Sequence, residues 1–228
     1  MFFGKGAIIE AIANGATKSN EIVTKTGEES AKCLKYIKTL CELGILYKET
    51  PFGEKDSSRK TLYGISDLMF RFWYRYVFPN RTLLETDAEE AVWKRRVEPD
   101  YSTYMGIVFE RVCREYLLWK NSRGELPFLF ISIGRWWGTD SVKRRQIEID
   151  LIASDGEDYL ICECKWRNEP LDLSVWKELQ QKAAVFPKKR RRTWFYLFSK
   201  TGFQEALWEE AKRNSSIVLV EIGELLDR

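Results

Sequence analysis

The chain of 228 residues contains no histidine. That absence excludes Ser-His-Asp triads, Cys-His proteases, histidine-ligated nuclease metals and imidazole acid–base catalysis. Carboxylate, lysine, tyrosine and cysteine chemistry is what is left. The sequence has no Cys-x-x-Cys, and its five cysteines form no spaced framework. Without a histidine partner a zinc site is not expected, and free thiols fit a reducing cytosol. A dominant charge sign is lacking as well: 37 Lys and Arg stand against 34 Asp and Glu, a net charge of +3. Any surface for nucleic acid therefore has to be local. No apolar run approaches a membrane span, and the start, Met1-Phe2-Phe3-Gly4-Lys5, lacks the apolar stretch of a secretory signal. The expectation is a cytoplasmic protein with no membrane contact. Aromatic residues, by contrast, are plentiful, nine Trp among them, so one large or two small domains can each fill a core.

The most informative stretch is residues 144–166, RRQIEIDLIASDGEDYLICECKW. Residues 147–152 and 159–165 are short, alternating runs that read as strands. The Asp155-Gly156 step between them predicts an antiparallel hairpin. Alternation places Glu148 and Asp150 on one face with Ile152, and Ile147, Ile149 and Leu151 on the other. In the second run Glu163 and Lys165 share a face, while Leu160, Cys162 and Cys164 point away. Three carboxylates and an amine then converge on one side of the hairpin. Carboxylates rarely lie in buried strands unless they are paired or hold a metal. A Glu–Lys cross-strand pair on a solvated face is the alternative.

This pattern resembles the PD-(D/E)xK nuclease core. Asp150 matches the first acid and Glu163-Cys164-Lys165 the acid-x-Lys element. The acid that the core carries on a preceding helix is matched by Glu110, within the helical pattern of residues 104–110. The resemblance implies that Glu110, Asp150, Glu163 and the carbonyl of Cys164 hold Mg²⁺ or Mn²⁺, with Lys165 orienting a water. For Glu110, an ion pair with a neighbouring arginine on its own helix is the other reading.

Upstream, helical patterns over residues 5–13, from Ser19 to Gly27, and from Ser30 to Gly44 precede two strand-like runs, 45–49 and 61–65. Three helices and a hairpin predict a winged helix-turn-helix. The third helix offers Lys32, Lys35 and Lys38, and the wing Lys48, Lys55, Arg59 and Lys60, as phosphate contacts for DNA. Glu28, Glu29, Glu42, Glu49 and Glu54 dilute that patch, which leaves open a protein-binding winged helix. Residues 67–78 read as a helix that is apolar nearly all round, capped by Asp67 or Ser66 and ended by Pro79. Residues 80–100 read as a helical connector.

Past the helix of residues 103–119, an edge strand is expected near Gly134-Arg135-Trp136-Trp137-Gly138. The step Lys143-Arg144-Arg145 follows, a candidate for nucleic-acid contact or a solvated loop. A helix capped by Ser174 and running to Phe186 carries Gln180, Gln181 and Lys182. The basic run 188–192 could flank the site as a phosphate-binding ridge or solubilise a loop. A strand at 194–198, a helix at 203–212 and a strand at 217–220 complete an αβββαβ order with a mixed sheet. The expected architecture is α/β (α+β), in three parts: a winged helix over 1–65, an aromatic helix and connector over 66–100, and a restriction-endonuclease-like domain over 101–228.

Together Ile65-Ser66-Asp67, Phe72-Trp73-Tyr74, Phe78-Pro79-Asn80, the Gly134–138 segment, Glu148-Ile149-Asp150 and Glu163-Cys164-Lys165-Trp166 resemble the C-terminal region of archaeal-type AAA+ ATPases. Members of that family carry a P-loop module before this region, and no Gly-x-x-x-x-Gly-Lys-Ser/Thr occurs here. ATP hydrolysis is therefore not expected of this chain. The resemblance implies that the aromatic helix meets an ATPase module or, without it, a second copy. Three functions compete: a metal-dependent nuclease, a non-catalytic DNA-binding module with a vestigial nuclease fold, and an ATPase-partner region.

Overall fold

The computed structural model describes residues 4–55 and 60–226. The chain forms two compact units, Met1–Tyr101 and Ser102–Arg228.

The first unit starts with three helices, α1 (Lys5–Ala13), α2 (Ser19–Thr26) and α3 (Ser30–Glu42). The Glu21 carboxylate accepts the backbone N–H groups of Thr17 and Lys18, which satisfies donors at the start of α2. Gly27 ends that helix at φ 66°, a left-handed conformation that glycine adopts without strain. Cys33, Ile37 and Leu40 repeat at helical spacing along α3 and close on Ile8, Ile9 and Ile12 of α1. Strands β1 (Leu46–Glu49) and β2 (Leu62–Ile65) pair antiparallel and add Leu46 and Ile65 to this core. Arg59 of the expected wing lies outside the described residues.

The aromatic stretch departs from expectation. Asp67 does cap it, accepting from the N–H of Phe70 at 2.9 Å. Yet α4 (Leu68–Phe72) widens into a π-helical turn over Trp73–Val77, and a 3₁₀ turn, Phe78–Asn80, leads into α5 (Arg81–Leu84). Pro79 does not end the helical path. It sits in the first turn of the next segment, where its missing N–H costs nothing. The connector holds α6 (Glu89–Val92) and a second π-helical turn, Trp93–Val97. Arg75 ties these pieces together: it donates to Asp100 at 2.6 Å and to the Ala13 carbonyl at 2.7 Å. Asp100 also accepts from the Tyr76 hydroxyl.

The second unit takes most of α7 (Glu98–Ser122), which is longer at both ends than its pattern suggested. Its sheet has five strands in chain order: β3 (Ser132–Asp140), β4 (Arg145–Ser154), β5 (Tyr159–Lys165), β6 (Thr193–Ser199) and β7 (Ile217–Glu221). The pairs β3–β4 and β4–β5 are antiparallel, while β5–β6 and β6–β7 are parallel, so the sheet is mixed. Helix α8 (Leu173–Val185) makes the crossover into β6, and α9 (Glu205–Arg213) the one into β7. A short α10 (Ile222–Leu226) closes the described chain. Asp172, not Ser174, caps α8, accepting the Ser174 N–H at 2.8 Å.

One sheet face packs Leu151, Leu160, Cys162, Cys164, Tyr196 and Phe198 against Phe109, Cys113, Tyr116 and Leu117 of α7. The other lies under α8, where Trp176 meets Phe195 and Phe186 meets Trp136 and Tyr159 edge-on. No helix among the described residues is long and apolar enough to cross a membrane.

Candidate functional site

On β5, Glu163 and Lys165 share the α8-side face with Tyr159, as period-2 alternation requires. Glu163 is 1 % exposed and Asp150, in the middle of the neighbouring strand β4, 8 %. Burial on that scale costs a carboxylate several kcal/mol unless cations answer it. Two do. Glu163 Oε1 accepts from Lys165 and, at 2.6 Å, from Lys182 of α8. The Lys165 ammonium also stands 3.8 Å from Asp150 Oδ2, and that oxygen accepts the Cys164 N–H at 2.8 Å. In a strand the N–H and C=O of one residue point the same way, so the Cys164 carbonyl faces the Asp150 side too.

Burial, and next the charge of Asp150, push the Glu163 carboxyl above the ordinary range against the pull of both lysines. Burial pulls the Lys165 ammonium down, but Asp150 and Glu163 outweigh it and the net direction is up. The remaining oxygen, Glu163 Oε2, is buried without a hydrogen-bond partner. A buried carboxylate oxygen with no donor is an open acceptor beside a second acid. Hard divalent cations bind through one or two carboxylates and complete their shell with water and phosphate, so the pair fits Mg²⁺ or Mn²⁺.

The third expected ligand is elsewhere. Among the described residues no three His, Cys, Asp or Glu side chains are gathered closely enough to hold a metal ion. The acid expected beside Asp150 on its own strand, Glu148, is displaced too, by an irregularity in β4. Its register with β3 passes from Gly134↔Ile152 to Trp136↔Ile149, so Arg135 alone faces Asp150 and Leu151. A bulge of this kind reverses alternation beyond it. Ile149 therefore shares the α8-side face with Trp136, and Glu148 turns to the opposite face with Trp137. The expected grouping of Glu148 with Asp150 is thus corrected. Glu148 pairs instead with the Arg135 guanidinium, and Glu110 of α7 stands 3.7 Å from the same side chain.

The basic candidates divide. Lys143 begins the step at the β3–β4 turn and donates to Gln181 of α8 at 2.8 Å, one residue from Lys182. Arg144 takes a left-handed φ of 51° in this turn, and Arg145 starts β4. Asp140 steadies the turn by accepting the N–H groups of Val142 and Lys143. The 188–192 run does not flank the acids. Arg191 and Arg192 clamp the fully buried Asp158 at 2.8 Å, at the opposite end of β5 from Lys165. In the first unit Lys32 pairs with Glu28 at 2.8 Å, Lys38 lies 3.8 Å from Glu42, and Lys35 is exposed on the same helix.

The sequence marks Lys182 only as one of three polar residues on this helix, a position that supports the site in some relatives of the resembled fold, and names no partner for it. A signal was present: Lys182 lies three residues after Leu179 and seven after Val175, on the stripe that α8 buries. A charge in a buried stripe asks for a partner.

Residues 73–184, which include all five residues of this cluster and Glu110, match a family described as "Archaea bacterial proteins of unknown function". An uncharacterized protein of Methanocaldococcus jannaschii is 38 % identical over 166 residues, covering 71 % of this chain and 35 % of that protein. The chain thus spans about a third of the length of that relative. No solved structure matches the chain.

Proposed function

We propose that the second unit is a divalent-metal-dependent phosphodiesterase acting on nucleic acid, built on a PD-(D/E)xK-like core. The observation that carries this reading is the Asp150–Glu163 pair, buried side by side against two lysines, with Glu163 Oε2 left open. Asp150, Glu163 and the Cys164 carbonyl would hold the cation. When bound, Mg²⁺ or Mn²⁺ supplies charge that polarises a phosphodiester and acidifies a coordinated water. The protein's own groups do the rest. Lys182 holds Glu163 from α8 and fixes which of its oxygens is presented. Lys165, charged and placed between both acids, orients the attacking water and answers the negative charge that develops on phosphate. Lys143, which reaches α8, and Arg144 and Arg145 after it in the chain offer cations to the backbone of the substrate. The first unit, read as a winged helix, contributes Lys35 and its neighbours to DNA.

A second reading has its own observation. Two carboxylates and two ammonium groups already balance, and Arg135 engages the acid on α7. Such a set is consistent with a vestigial core in a DNA-binding or ATPase-partner module. Labelled DNA and RNA oligonucleotides, incubated with Mg²⁺, Mn²⁺ or EDTA, separate the two. Cleavage that needs metal and is lost in Lys165→Met supports the enzyme. Metal-independent, salt-sensitive binding without cleavage supports the module.

A further inference from the structure

Among the lysines held in place, Lys200 stands apart. Lys32, Lys182 and Lys212 each answer a carboxylate, those of Glu28, Glu163 and Glu209. The Lys200 ammonium is held by neutral groups instead. It stands 4.7 Å from the centre of the Trp166 ring and donates to the Asn168 side-chain oxygen at 2.8 Å. Among the described residues no carboxylate pairs with it. An ammonium carries three donors, so the bond to Asn168 leaves others for a ligand. The charge is positioned but unanswered.

Its place relates it to the buried acids. The β4–β5 register runs as far as Leu151↔Cys162, and past it the Cys164 N–H turns to the Asp150 carboxylate. Strand β6 stays beside β5 through Lys165↔Ser199, and the Lys200 N–H then donates to the Lys165 carbonyl at 3.2 Å. Lys200 thus extends the strand that borders the Lys165 end of β5. Trp166 beneath it packs on Phe109 of α7. The loop itself is braced. The Leu171 N–H and the Ser199 hydroxyl donate to the Gly202 carbonyl at 3.0 Å and 2.8 Å, and the Gln204 N–H donates to the Leu171 carbonyl at 2.9 Å. A cation on a braced loop takes an anion at little ordering cost.

We propose that Lys200 binds a backbone phosphate of the nucleic acid, flanking the phosphodiester presented to Asp150, Glu163 and Lys165. That it flanks the reacting linkage rests on the metal-site reading; that it binds phosphate does not. The ligand class is a polynucleotide, whose neighbouring linkages carry further charges past the one being attacked. A single ammonium at this rim adds affinity and fixes position without reading sequence.

The test is fluorescence anisotropy of a short labelled DNA oligonucleotide with the full chain in EDTA, over a series of KCl concentrations. The proteins are the parent, Lys200→Met, Lys200→Arg and Lys212→Met, each checked for folding by circular dichroism. EDTA keeps this readout apart from the metal site, which stands or falls by metal-dependent cleavage. Lys200→Met is expected to weaken binding about fivefold at about 0.1 M salt. It should also lower the slope of log affinity against log salt by about 0.7–0.9, the share of one phosphate contact. Lys200→Arg keeps both values near the parent. Lys212→Met, whose charge Glu209 already answers, changes neither. Inorganic phosphate, exchanged for KCl at constant ionic strength, displaces the oligonucleotide no better than chloride. No binding by the parent, an unchanged slope in Lys200→Met, or an equal loss in Lys212→Met overturns the proposal. So does displacement by inorganic phosphate that Lys200→Met abolishes, which would make the rim a site for the free ion.

Discussion

Glu163 carries two ammonium groups on one oxygen and none on the other, and each has a separate consequence. Lys182 reaches it from α8, on the same side of the sheet, with only 12 % of its side chain exposed. Replacing Lys182 by Met leaves the buried acid with one charge partner fewer, a loss of about 2–3 kcal/mol. Urea unfolding of that variant is expected to show a lower midpoint with an unchanged slope. Asp158 makes a different prediction. Arg191, with Arg192, holds its carboxyl far below the usual range. Its folded pKa lies under its unfolded value, so its stabilisation is complete above about pH 4 and is lost as pH falls below that. Acid titration of Asp158→Asn is expected to show a flatter decline of stability below that point than the parent shows, with lower stability at neutral pH. The placement of Asp150, Glu163 and Lys165 could be read from the sequence because strand alternation is local. Lys182 and Arg135 could not, because their partners are chosen by helix docking and by a register shift between strands.

At the scale of elements, the bulge at Asp150 decides which acids meet. A period-2 pattern through Ile147-Glu148-Ile149-Asp150 carries no mark of an inserted residue, so strict alternation misplaces Glu148. The strand opposite has a separate constraint away from the bulge, where Gly138 pairs with Ile147. A Cβ on Gly138 would fall 2.7 Å from the Trp136 ring, which is buried and meets Phe186 edge-on. The ring has no room to yield, so Gly138→Ala is expected to cost about 1–3 kcal/mol. Combining it with Trp136→Leu should recover part of that loss relative to Trp136→Leu alone, measurable as non-additivity in a double-mutant cycle. The three-helix order of the first unit was legible to within a residue or two because apolar stripes and glycine stops agree there. The aromatic stretch was not. Its widened turn over Trp73–Val77 has no counterpart in the apolar spacing, and Pro79, read as an end, is compatible with a fresh helical start.

For the whole molecule, the two units bury separate cores, one around Ile8, Ile37 and Leu40 and one around Leu117, Leu160 and Phe198. Leu40→Ala and Leu160→Ala are each expected to cost about 2–5 kcal/mol. Calorimetry should assign the loss to different transitions, and only Leu160→Ala should also weaken Mn²⁺ binding. A single transition shifted equally by both variants would mean that the units unfold as one. The near-balance of charge over the chain likewise places the burden of any nucleic-acid contact on local groups, chiefly the β3–β4 turn and α3.

The central claim is that Asp150 and Glu163 form a working metal site for phosphodiester hydrolysis. It is tested most directly by following supercoiled plasmid DNA with Mn²⁺ and the parent chain beside Asp150→Ala prepared identically. The account predicts nicking by the parent that stops with EDTA and is absent in Asp150→Ala. Equal nicking by both proteins, or none by either while the parent binds Mn²⁺ through Asp150, would contradict it.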